Sequence, residues 1–260
     1  MAAPPEIRLS RDRQAWAAGA AELVQSVGQE AVAAKGQFLL ALSGGATPES
    51  LYRALTSPPF AGRFDWSHTI FFFSDERCVP PDDPRSNYAL ANKALLTPLN
   101  IAPSQVCRMA GESRDPQAAA ADYEQHLRHA TKTTAPALPQ MDLILLGVGA
   151  DGHTASLFPR TPILQDRQTV IAVTQSPQDP PTRLTMTLGV INRASVVLFL
   201  AAGAGKAGVV SAILDPKTEA DRQLPAALVA PDEGRLIWLL DLAVAAGLSR
   251  DRVKMIARED

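Results

Sequence analysis

The sequence predicts an α/β fold built on a mainly parallel sheet flanked by helices. Three observations carry this. Short apolar runs alternate with longer helical stretches along the chain. Several of the runs are apolar throughout, as strands covered on both faces are. Four of them end in glycine or charged residues, as strands do where they open onto a ligand site.

The elements follow in order. An Ala-rich stretch predicts a helix over 12–34. QFLLAL predicts a strand over 37–42 that ends at Ser43-Gly44-Gly45, and a helix over 48–55 follows with Thr47 as N-cap and Pro48 at N1. TIFFF predicts a strand over 69–73 ending at Ser74-Asp75-Glu76-Arg77, and the next helix covers 87–96, with Asn87 as its cap. After a helix over 116–129, strands are expected over 141–146, 169–173, 195–200 and 236–240, and helices over 206–214 and 241–246. The proline-containing stretches 131–140 and 174–182 read as loops rather than linkers, so 1–260 is expected to form a single domain. Residues 250–260 read as a charged tail.

Composition narrows the partners. A chain of 260 residues, 46% hydrophobic and 20% charged, can bury a sizeable core. Its net charge of −2 gives no basic field to hold nucleic acid or an anionic membrane, so neither is expected as a partner. Any anion must be gripped locally. The oligomer is expected to be a monomer or a small homo-oligomer. The two cysteines, Cys78 and Cys107, are expected as free thiols of a reducing compartment. MAAPPEIRLSRDRQ offers no signal-peptide core, and no apolar run approaches the roughly 18 residues of a membrane span, so a cytoplasmic location is expected.

The strand-end loops carry the chemistry. In Ser43-Gly44-Gly45-Ala46-Thr47, glycines let backbone N–H groups approach an anion and the following helix adds partial positive charge. A plain tight turn would use the same residues. The P-loop pattern is not matched, which disfavours a nucleoside triphosphate. Lys206, between Gly205 and a helix, can bring a full positive charge to the same anion. Asp75, Glu76 and Arg77 can orient a polyhydroxylated substrate, with Arg77 also able to hold a phosphate through paired donors, although a local ion pair would look the same.

The stretch LLGVGADGHTASLFP, at 145–159, contains Gly147, Gly149 and Gly152 in G-x-G-x-x-G spacing. A dinucleotide fingerprint would open a long helix, but Pro159 and Pro162 stop one. The pattern fits an acid/base site better. The glycines allow a sharp turn that brings Asp151 and His153 into the mouth of the site. Histidine's unperturbed pKa of about 6.5 suits proton transfer near neutrality, and a carboxylate can fix its tautomer. There is no H-x-x-x-H and no second histidine near His153, so no metal is expected, and without G-x-S-x-G no serine nucleophile is expected either.

Five stretches in order, LSGGATPESLY, FFFSDERCVPPDDPRSNYALANKALL, LILLGVGADGHTASLFP, RLTMTLGVIN and FLAAGAGKAGVV, together resemble the 6-phosphogluconolactonase family. They span about 38–238, and the aromatic-Leu-Leu-Asp at 238–241 is similar to the family's ending. The resemblance implies a three-layer, Rossmann-like fold and hydrolysis of a phosphosugar lactone, 6-phospho-D-glucono-1,5-lactone, with no cofactor. It implies His153 as the general base and Asp151 as its support. Arg77 and Lys206 would grip the 6-phosphate, helped by Gly44, Gly45 and Thr47. It also brings Arg183 near the site and places Asp75, with Glu76, in the family's acidic pair.

Two other readings remain at this point. Glucosamine-6-phosphate deaminases share the D-G-H segment, but carry a glutamate where this chain has Phe158. A non-catalytic sugar-phosphate sensor would keep the anion grip and lose the acid/base pair, which this chain retains. Titration with NAD or NADP is expected to leave both tryptophan fluorescence and the thermal midpoint unchanged. A saturable shift in either would restore the dinucleotide reading.

Overall fold

A computed structural model describes residues 4–249, so the charged tail read at 250–260 lies outside the described residues. The chain runs β1 (Glu6–Ser10), α1 (Arg13–Lys35), β2 (Phe38–Leu42), α2 (Ala46–Leu55), β3 (Thr69–Phe73), β4 (Asp75–Arg77), α3 (Asn87–Ala91) and α4 (Pro116–Thr131). It continues through β5 (Leu143–Leu146), β6 (Ile171–Gln175), β7 (Thr182–Met186), α5 (Leu188–Ile191), β8 (Val196–Ala201), α6 (Ala207–Leu214), α7 (Glu219–Arg222), β9 (Arg235–Asp241) and α8 (Leu242–Ala245).

Six strands form one sheet in the order β1-β9-β8-β5-β2-β3, with every neighbouring pair parallel. Helices cover both faces, which explains the unbroken apolar runs. Along β2, Leu39 and Ala41 enter one core while Phe38, Leu40 and Leu42 enter the other. In β8, Val197 and Phe199 face the first core, and Val196, Leu198 and Leu200 the second. Phe199 stacks on Trp238 with ring centroids 4.0 Å apart, and Trp16 Nε1 donates to the Leu239 carbonyl at 3.0 Å. Among the described residues no helix is long and apolar enough to cross a membrane.

Local signals set the helix ends. Asp12 accepts the Ala15 N–H at the start of α1, and Gly36, at φ +76°, ends it with a bond to the Val32 carbonyl. Two expected caps are corrected. Helix α2 starts at Ala46 with Gly45 as N-cap, so Thr47 lies inside its first turn; Gly45, at φ +100°, takes the entry conformation open to glycine. At α3 the cap is Ser86, whose Oγ accepts the Ala89 N–H at 3.1 Å, which moves Asn87 to N1. The helix expected from Lys206 is regular only from Ala207, after a 3₁₀ turn over Ala204–Lys206.

A second, antiparallel sheet joins β4, β7 and β6. The strand expected at 169–173 is its edge, displaced to Ile171–Gln175, and not part of the parallel sheet. Strands β1, β4 and β7 were not expected. Their sequences, EIRLS, DER and TRLTM, are short and polar-interrupted because they lie at a sheet edge or in a small sheet.

The carboxyl ends of β8, β5, β2 and β3 are contiguous, and a side chain finishes each of them. Tyr52 Oη accepts the Ser43 N–H at 3.0 Å and donates to the Ser43 carbonyl at 2.6 Å. Tyr123 does the same at Phe73, at 2.7 and 2.9 Å. Thr154 Oγ1 donates to the Gly147 carbonyl at 2.8 Å, and Asp241 Oδ2 accepts the Gly203 N–H at 2.9 Å. Burial pushes the Tyr52 hydroxyl pKa up, which keeps its proton available for donation. Tyr52→Phe leaves a buried N–H and carbonyl unpaired and is expected to cost about 1–3 kcal/mol in urea unfolding. Unchanged stability would mean that another group replaces the hydroxyl.

Candidate active site

Beyond these four strand ends lies a cavity of about 370 Å³. Gly44, Gly45, Asp75, Arg77, His153 and Lys206 all line it, so the four loops meet in one place. Larger concavities of about 740, 650 and 610 Å³ lie elsewhere; one of them is lined by His129 on α4, but none touches these loops. Asp151 and Arg183 stand behind the wall, each against a lining residue, while Thr47 is not among the lining residues.

The loop after β5 makes a tight turn. The Gly149 N–H donates to the His153 carbonyl at 2.8 Å, and the Gly152 N–H donates to the Gly149 carbonyl at 3.0 Å. Gly152 has φ +80°, where a side chain would be strained. Asp151 Oδ1 sits 2.5 Å from His153 Nδ1 and accepts the His153 backbone N–H at 3.2 Å. Burial alone would raise the Asp151 pKa, but the hydrogen bond and charge attraction from His153 outweigh it and hold the carboxyl below its ordinary value. With Nδ1 engaged by the carboxylate, Nε2 is the ring nitrogen left for chemistry. A Cβ at Gly149 would lie 2.1 Å from His153 Nδ1 and 2.7 Å from Asp151 Oδ1, so the pair occupies the space this glycine leaves. The Phe158 ring lies 4.9 Å from the imidazole, centroid to centroid.

The cationic side of the cavity rests on the small sheet. Arg77 on β4 stands directly across from Arg183 on β7. Neither guanidinium has a carboxylate within ion-pair distance among the described residues, and the Nε of each is buried without a hydrogen-bond partner. Arg77 Nη1 donates to the Arg85 carbonyl, and Arg183 Nη2 lies 3.5 Å from Ser176 Oγ. Burial first, then the Arg77 charge, holds the Arg183 pKa below its ordinary value. Lys206 Nζ donates to the Val148 carbonyl at 2.8 Å on the same cavity. Three cations without carboxylate partners make a site suited to an anion with several oxygens.

The two acidic residues separate. Asp75 lines the cavity and accepts from Ser156 Oγ at 2.7 Å and from Asn87 Nδ2 at 3.1 Å. Glu76 turns inward. Its oxygens accept the N–H groups of Arg77, Asn87 and Tyr88 and the Ser86 hydroxyl, so it secures the start of α3 and is not among the cavity's lining residues.

The family model described as glucosamine-6-phosphate isomerases/6-phosphogluconolactonase matches residues 11–238. The chain belongs to this family. Human 6-phosphogluconolactonase is 42% identical to it over 251 residues, covering 94% of this chain and 95% of that protein. A 6-phosphogluconolactonase from a Nostoc species is 37% identical over 238 residues, covering 92% and 96%. The solved 6-phosphogluconolactonase structure from Trypanosoma brucei superposes with a TM-score of 0.83 at 27% identity, covering 94% of this chain and 99% of that one. A monomeric glucosamine-6-phosphate deaminase, 23% identical with a TM-score of 0.76, shares the fold.

Within this family fold, three further residues belong to the site. Ser156 anchors Asp75, Asn87 lines the wall, and Gln178 reaches the cavity from the loop between β6 and β7. Ser156 lay in a quoted stretch but had no motif role, and Gln178 sat in a loop with no local signal. The burial of Glu76 raises its pKa against its four hydrogen bonds. Stability from protonated Glu76 is therefore present below the ordinary value of 4.5 and lost as pH rises through the raised value. Glu76→Gln lacks this slope. Its deficit against wild type in urea unfolding is expected to be larger at pH 4.5 than at about pH 7.5. Equal deficits would show that Glu76 ionises as readily folded as unfolded.

Proposed function

We propose that this protein hydrolyses 6-phospho-D-glucono-1,5-lactone to 6-phospho-D-gluconate in the oxidative pentose phosphate pathway, with His153 as the general base. The observation that carries the reading is a carboxylate-fixed histidine in the same small cavity as unpaired cations. Arg77 and Lys206 take the 6-phosphate, with Arg183 behind Arg77 and the Gly44-Gly45 entry to α2 adding its N-terminal partial charge. Binding the phosphate at one end holds C1 at the other, so remote binding energy goes into positioning.

The lactone carbonyl is already electrophilic. His153 Nε2 takes a proton as water oxygen bonds to C1, giving a tetrahedral oxyanion. That intermediate collapses with cleavage of the C1–ring oxygen bond, and the imidazolium returns its proton to the departing ring oxygen. Asp151 fixes the tautomer and stabilises the imidazolium between the two transfers. General acid–base help of this kind is worth roughly 10²–10⁴-fold. Phe158 supports hydrolysis over deamination, because it puts an aromatic ring beside His153 where the deaminase pattern would need a carboxylate.

The test follows the lactone by NMR against its spontaneous hydrolysis. His153→Ala is expected to lower kcat by about 10²–10⁴-fold with little change in KM. Lys206→Ala and Arg77→Ala are expected to raise KM. Hydrolysis that stays at the background rate with wild-type protein would leave the sugar-phosphate sensor as the better reading. Acceleration that survives His153→Ala would assign the base elsewhere.

A further inference from the structure

Among the described residues Asn87 is the one buried amide in the wall of this cavity, and its two ends are treated differently. Because Ser86 caps α3, the Asn87 side chain is free of that duty. Its Nδ2 donates to the Asp75 carbonyl at 2.9 Å and to Asp75 Oδ1 at 3.1 Å. Both acceptors lie on one side, which fixes the sense of the amide and turns Oδ1 the other way. Oδ1 has no hydrogen-bond partner, although the residue is 2% exposed. A buried acceptor left unpaired is costly, and a fold that keeps one in a cavity wall commonly reserves it for a ligand.

Gly44 supplies the second observation. A Cβ there would lie 1.8 Å from Asn87 Oδ1 and 2.4 Å from Cγ. Gly44 packs against this oxygen, and only a residue without a side chain fits there. Neighbouring Asp75 accepts hydrogen bonds from Ser156 and from Asn87 itself. The unpaired Oδ1 therefore calls for a hydroxyl donor, whereas Arg77 and Lys206 in the same lining are donors themselves.

We propose that Asn87 is a specificity-determining residue whose Oδ1 accepts a hydrogen bond from a ring hydroxyl of the substrate. The inference rests on the lactonase reading and names the part of that substrate this wall takes. The same contact lets the enzyme select a polyhydroxylated lactone over one that lacks a hydroxyl at this point.

The experiment compares wild type, Asn87→Ala and Asn87→Ser on 6-phosphogluconolactone and on its 2-, 3- and 4-deoxy forms. In wild type, removing one particular hydroxyl is expected to lower kcat/KM by about tenfold or more. In the variants the same removal is expected to change it less than about twofold. Penalties that match between wild type and variant for all three hydroxyls would overturn the proposal, even if the variants are weaker enzymes. The serine variant covers the case in which alanine does not fold. Calorimetry with 6-phosphogluconate and its deoxy forms reads the same contact without turnover. If wild type hydrolyses no lactone, the functional reading falls while the dissociation constants still decide Asn87, with equal penalties in wild type and variant counting against it.

Discussion

A parallel sheet brings its strands to an end along one edge, where backbone donors and acceptors lose their ladder partners together. Every feature of this site depends on how that edge is finished. The ends of β2, β3, β5 and β8 are each closed by a side chain from elsewhere: Tyr52, Tyr123, Thr154 and Asp241. These bonds satisfy buried or half-buried groups that would otherwise be unpaired. They also fix the start of each loop, so the residues that follow reach the cavity from set positions.

From that edge outward, the site trades stability for placement. Glycine at 149 gives up side-chain packing so that Asp151 and His153 can occupy its space, and glycine at 44 does the same for Asn87. Glu76 is buried against a desolvation cost in order to hold the start of α3, which carries Asn87. The small antiparallel sheet sets Arg77 beside Arg183 at the price of like-charge repulsion. Each local cost is borne by a rigid surround, which is the arrangement expected where geometry must be kept without the ligand's help.

What could be read from the sequence was what depends on burial and local turns. Runs such as TIFFF and SVVLFL declare themselves because both faces of their strands are buried, and glycines mark the loops that bend toward the cavity. Choices between adjacent capable residues were not legible. Spacing could not tell Ser86 from Asn87, or Gly45 from Thr47, because the decision depends on where the preceding chain enters. Long-range pairings were hidden for a similar reason. Tyr123 meets Phe73 across fifty positions, and Arg183 meets Arg77 only through a strand register that the polar sequence of β7 does not advertise. Gln178 joins the cavity from a loop whose path depends on that same small sheet.

The side-by-side arginines have a consequence for the lifetime of the protein. Two guanidinium charges facing each other, neither in an ion pair among the described residues, raise the free energy of the folded chain, and an anion held beside them would lower it. Such an anion binds the folded chain and not the unfolded one, so the folding equilibrium responds to its concentration by mass action. Abundance and ligand supply would then be linked through the folding equilibrium itself. A cell rich in that anion would keep more of the chain folded, and one depleted of it would expose more to proteolysis.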